Sequence, residues 1–151
     1  MVDTVSKILV LAGTLLVAVS AGMLVLNPGI FASHGEDSVT DYVSLIDSLR
    51  AAGAAVEPAG EVTQPFFSVK GQVTTVNGGN VNVFEYESTA VADGEAALVS
   101  PDGGSVGTTM MMWIDRPHFY KAGRLIVLYV GDSPTVTDAL EAVLGPQFAG
   151  R

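Results

Sequence analysis

Phe66-Phe67-Ser68-Val69-Lys70-Gly71-Gln72-Val73-Thr74-Thr75-Val76, then Asn77-Gly78-Gly79-Asn80, then Val81-Asn82-Val83-Phe84-Glu85-Tyr86-Glu87, reads as two strands and the turn between them. Phe67, Val69, Gly71, Val73 and Thr75 fall on one side of the first segment, and Ser68, Lys70, Gln72 and Thr74 on the other. That is the two-residue period of a strand. The Asn-Gly-Gly-Asn linker supplies residues that accept positive φ, as a tight hairpin requires. An antiparallel pair over 66–87 is therefore the nucleus of the predicted fold.

Downstream, Ser88 to Val99 is alanine-rich and predicts a helix that Gly94 weakens. Pro101-Asp102-Gly103-Gly104 is turn chemistry. Thr108 to Ile114 is expected to be a third strand, and Asp115 to Gly123, with Pro117, a connection. Arg124-Leu125-Ile126-Val127-Leu128-Tyr129-Val130 is apolar at both alternating sets of positions, the mark of a strand covered on both faces. Ser133-Pro134 opens a last helix, with Val136, Leu140, Val143 and Leu144 on its apolar side and Gly145-Pro146 at its end.

Upstream, Ala54 to Pro65 carries Pro58, Gly60 and Pro65 and reads as a loop. Tyr42, Leu45, Ile46 and Leu49 recur at i, i+3, i+4 and i+7, one face of a helix. Ser38-Val39-Thr40-Asp41 has the form of its capping box, and Gly53 of its end. The expected fold class is α+β: a four-stranded, mainly antiparallel sheet in the order α-ββα-ββα, with the helices divided between its faces or, as the alternative, one face meeting a partner or the membrane surface.

Ahead of this domain stands an uncharged run from Ile8 through Leu16 and Val19 to Leu26. Nineteen residues at helical rise reach about 28 Å, close to the hydrocarbon thickness of a bilayer. The predicted plan is a single transmembrane anchor over 1–29, a spacer over 30–40 and an extracytoplasmic domain over 41–151. Lys7 before the run and Glu36, Asp37 and Asp41 after it put the N-terminus in the cytoplasm. The competing reading is a cleaved secretory signal, which would leave a secreted domain. Phe31-Ala32-Ser33 and Ala32-Ser33-His34 each place a bulky residue where cleavage wants a small one.

The chain has 151 residues and a net charge of −9. Asp3 and Lys7 cancel, so all of that charge lies beyond Leu26. An acidic domain repels phosphate backbones, which disfavours nucleic acid as a partner. With no cysteine, the sequence has no disulfide, thiolate ligand, cysteine nucleophile or lipid-bearing thiol.

Each candidate for chemistry has a plainer structural account. His118 could act as a ligand or acid/base group with Asp115 and Tyr120 near it in sequence, but no second histidine at metal-binding spacing supports it. A histidine that orders a turn through hydrogen bonds is the simpler expectation. Glu85 and Glu87 share a strand face and could hold Ca²⁺, yet solvated carboxylates explain them as well. Met110, Met111 and Met112 with Trp113 suggest a soft copper(I) site, but neighbouring strand residues point to opposite faces, which favours core packing. Gly103-Gly104-Ser105-Val106-Gly107 lacks the Gly-Lys-Ser/Thr of a phosphate loop. No catalytic, cofactor or metal residues are assigned.

Gln64-Pro65-Phe66-Phe67-Ser68-Val69, Val83-Phe84-Glu85-Tyr86, Pro101-Asp102-Gly103 and Pro117-His118-Phe119-Tyr120-Lys121, with Leu125 to Gly131, resemble a group of small bacterial exported proteins. Members often begin with a lipoprotein-type signal and have no assigned function. The resemblance implies placement outside the cytoplasm and carries no catalytic residue. This chain lacks the lipid-bearing cysteine, so the apolar run would do the anchoring. The expected function is a membrane-tethered interaction domain, a non-enzymatic accessory subunit whose partners are the lipid bilayer and other membrane-protein subunits. The alternative is a tethered or secreted module for a small ligand or metal.

Overall fold

The computed structural model describes residues 38–151. The predicted anchor, with Ile8, Leu16, Val19 and Leu26, and most of the spacer lie outside the described residues. Among those residues, no helix is long and apolar enough to cross a membrane.

The described chain is α+β. Its elements in order are α1 (Tyr42–Ala51), β1 (Val56–Val62), β2 (Gly71–Val76), β3 (Gly79–Glu85), α2 (Thr89–Ala96), β4 (Ser105–Val106), β5 (Thr109–Met110), β6 (Pro117–Ala122), β7 (Leu125–Val130), α3 (Pro134–Leu144) and β8 (Ala149–Gly150). Six strands form one sheet in the order β1-β2-β3-β7-β6-β8, and β4 and β5 make a separate two-stranded ribbon. Every neighbouring pair is antiparallel. The sheet thus has six strands where the sequence predicts four.

The hairpin forms at the predicted place. Val76 pairs with Gly79, and Asn77 and Gly78 take φ of 48° and 86°, the two positive values a type I′ turn needs. The first strand, however, is only Gly71–Val76; Phe66 to Val69 is turn and bend. Phe66 and Phe67 are adjacent and both buried in the same cluster, which alternating strand side chains could not achieve. Gly71 stands opposite Phe84. A Cβ there would come within 2.8 Å of the Phe84 ring, so the missing side chain is the space that ring occupies.

Three further expectations are corrected. Ala54 to Pro65 is not all loop, since it contains β1. Proline is tolerated there because β1 is an edge strand and bulges between Pro58 and Gly60. Thr108 to Ile114 is not a strand of the main sheet; only Thr109–Met110 pairs, with Ser105–Val106. The strand beside β7 is instead Pro117–Ala122, the segment read as a connection. Pro117, which cannot donate to a ladder, sits at the first position of β6, where proline is permitted.

β7 is the central strand the sequence predicts: Leu125, Ile126, Val127, Leu128 and Tyr129 are all buried. Its odd and even side chains enter two different cores, and the helices divide between them. On one face Leu125, Val127 and Tyr129 meet Leu45, Leu49, Val136 and Leu140 of α1 and α3. On the other, Ile126 and Leu128 meet Phe67, Phe84, Phe119 and Ala92 of α2. We call these the helix face and the loop face.

The N-cap of α1 lies three residues beyond Ser38, the cap of the predicted box. Asp41 is the N-cap; its Oδ1 accepts the Ser44 N–H at 2.9 Å, and the Ser44 hydroxyl oxygen accepts the Asp41 N–H at 3.0 Å. The backbone donor holds the Asp41 carboxyl below the usual carboxylate range. The helix closes with Gly53 N–H to Arg50 C=O and Ala54 N–H to Leu49 C=O. That is a Schellman ending, with Gly53 at φ 90°. Val39 is buried just ahead of the helix. Beside it the Thr40 carbonyl accepts the Arg124 N–H at 3.0 Å. The turn between β6 and β7 runs so close to Thr40 that a Cβ on Gly123 would lie 2.5 Å from the Thr40 Cα.

Candidate functional site

β6 sets the candidate site. Alternation along it sends His118 and Tyr120 to the helix face, and Phe119 to the loop face. His118 pairs across the ladder with Tyr129, and the two rings stack at 5.9 Å with 19° between planes.

Both imidazole nitrogens are engaged. Nε2 lies 3.0 Å from the Gly131 carbonyl, which can only accept, so Nε2 carries a proton. Nδ1 lies 2.6 Å from the Gln147 side-chain amide. An amide can present its oxygen to a protonated Nδ1 or its NH₂ to a bare one. Gly131 belongs to the loop that enters α3 and Gln147 to the loop that leaves it. The ring therefore ties the two flanks of α3 to β6. The Tyr129 hydroxyl adds a third tie by accepting the Ser133 N–H at 3.3 Å.

The other two predicted members do not join this constellation. Tyr120 is fully buried, and its hydroxyl has no hydrogen-bond partner. Burial, with Glu141 and Asp138 adding to it, pushes the phenol up to about 12. A phenol held neutral and sealed from solvent cannot meet a ligand without the core opening. Asp115 is exposed and accepts the Arg116 N–H at 2.8 Å, a local turn bond.

The carboxylate pair is also separated in role. Glu85, the last residue of β3, bonds Arg124 at 2.5 Å, while Glu87 is exposed beyond the strand. Among the described residues, no three His, Asp or Glu side chains gather as metal ligands do. Tyr86 repeats the situation of Tyr120 on the loop face: its hydroxyl is buried without a partner, and burial first, then Glu95, raises its pKa.

The methionine segment differs from expectation. Met111 and Trp113 pack against the loop-face core. The indole N–H donates to the Gly103 carbonyl at 2.6 Å. Met110, Met112 and Ile114 point the other way and are 86%, 98% and 99% exposed. Core packing, the expectation for all three methionines, holds for Met111 alone. The alternation was legible in the sequence; which side would be covered was not.

No family model, curated protein or solved structure matches this chain.

Proposed function

We propose that this chain is a membrane-tethered extracytoplasmic interaction domain, a non-catalytic accessory subunit of a membrane assembly. The observation that carries the reading is a pairing. An uncharged run of bilayer length, Ile8 to Leu26, precedes a domain in which His118, Glu85 and Tyr120 are committed to its own fold. His118 bridges the two loops around α3. Glu85 is paired with Arg124, and the Tyr120 hydroxyl is enclosed. Lys7 ahead of the run and the acidic residues after it favour the outer side for the domain.

Purification from the native membrane in mild detergent, followed by native mass analysis, tests this reading. A stoichiometric complex with other chains is the expected result. A monomer with Met1 intact would overturn the subunit assignment, and a monomer lacking the residues before about Asn27 would replace the anchor with a cleaved signal.

A further inference from the structure

Resting on the tethered reading, we propose that the segment Met110 to Ile114 is a lipid-contacting tongue. In this arrangement the side chains of Met110, Met112 and Ile114 enter the interfacial region of the bilayer that holds the anchor.

Three observations converge on it. The first is shape. Three large apolar side chains at alternate positions are almost wholly exposed, while the intervening Met111 and Trp113 fasten the segment to the domain. The Trp113 N–H to Gly103 bond locks that underside. A buttressed protrusion of this kind suits a fluid apolar phase, which needs no preformed groove.

The second is charge. The chain carries 16 acidic residues, yet residues 103–114 contain no charged side chain of either sign. A tongue free of carboxylates is the part of an acidic domain that meets neither desolvation cost nor headgroup repulsion at a membrane. Charge resumes at Asp115 and Arg116, both exposed and directly beyond Ile114.

The third is reach. Eleven residues, 27–37, separate Leu26 from the first described residue, a length of about 40 Å when extended. The chain enters the fold at Thr40, beside the Gly123 turn. The tongue precedes Pro117, at the opposite end of β6. Six strand residues cover about 20 Å, so the spacer is long enough for the tongue end to face the lipid.

The test uses the full chain in phosphatidylcholine vesicles containing lipids with nitroxide-labelled acyl chains. The protein has no cysteine, so Met112→Cys and, separately, Val43→Cys each take one environment-sensitive fluorophore. Val43 is also exposed, at the start of α1 and near the tether. Quenching several-fold stronger at position 112 than at 43 is expected, with its loss on adding Met110→Asp and Ile114→Asp. Equal weak quenching, or quenching at 43 alone, would overturn the tongue. So would shielding of position 112 from aqueous iodide without acyl-chain quenching, the signature of a second copy. Flotation separates the two readings: a chain that floats with position 112 unquenched removes only the tongue, whereas one that does not float removes the tether and the tongue together.

Discussion

The two faces of the sheet are covered by different means. The helix face is mainly aliphatic: Leu45, Leu49 and Leu140 from α1 and α3 lie on Val76, Val83 and Val127, with Tyr120 and Tyr129 among them. The loop face is aromatic. Its cover is the short α2 and two irregular stretches, and its contacts run ring to ring. Phe66 meets Phe67 at 5.0 Å and Trp113 at 5.9 Å, and Phe119 meets Phe67 at 6.4 Å and Trp113 at 5.9 Å, all steeply inclined. A helix places side chains at a fixed period, so medium-sized residues suffice to meet a strand face. A loop has no period, so fewer and larger groups cover the same surface. Edge-to-face rings add about 0.5–1.5 kcal/mol per pair beyond the area they bury.

Truncation should break the two faces differently, and it should give the largest effects. Phe119→Ala removes a ring in contact with Phe67, Trp113 and Phe148 and is expected to cost about 3–5 kcal/mol in urea unfolding. Leu49→Ala on the helix face should cost about 2–4 kcal/mol by the same measure. Hydrogen exchange sharpens the contrast. Phe119→Ala should speed exchange in 99–114 while α1 stays protected, and the opposite pattern would show that the faces do not hold their covers independently.

A smaller effect is expected at the clasp. His118→Ala and Gln147→Ala should each cost on the order of 1 kcal/mol, and the double variant less than their sum. Full additivity in a double-mutant cycle would mean the 2.6 Å contact contributes nothing to the helix face.

The tyrosines give one buried hydroxyl to each face. Tyr120→Phe and Tyr86→Phe should leave stability at neutral pH within about 1 kcal/mol, or raise it, because an unpaired hydroxyl returns to water on unfolding. The pH dependence follows from the direction of the shifts. Both phenols are raised in the folded state, Tyr120 to about 12 from the ordinary 10.0. The unfolded chain therefore ionises first, and stability, level below pH 10, falls as pH climbs from 10 towards 12. In a urea titration across that window each Phe variant should flatten the fall; an unchanged slope would remove the tyrosines as its cause.

The smallest effect is expected outside both cores. Met112→Ser should change stability by less than about 0.5 kcal/mol, because the side chain is 98% exposed. A larger loss in the urea midpoint would mean that the outer side of the tongue has a folded-state contact within the domain.

Legibility in the sequence follows the same division. α1, α3, the Asn77-Gly78 turn and β7 each obey a local rule, and each appears where its residues predict. The loop-face cover obeys none. Phe66 to Val69 and Thr108 to Ile114 alternate like strands, yet tertiary packing bends the first and pairs only two residues of the second. β6 was masked by Pro117 at its start, although His118 to Ala122 contains nothing that forbids a strand. Of the candidate site, His118 was visible as a hydrogen-bonding residue of a turn. Gln147, 29 positions away, and the exclusion of Asp115 depend on contacts between elements that no local pattern records.

The junction at Thr40 also has a mechanical meaning. The chain enters where Thr40 bonds the Arg124 amide at the head of β7, and β7 is flanked by β3 and β6. A pull on the chain ahead of Thr40, resisted at the far end of β6, would run lengthwise along these strands. Their ladder bonds lie across that direction and would bear the load together, in shear, instead of opening one after another.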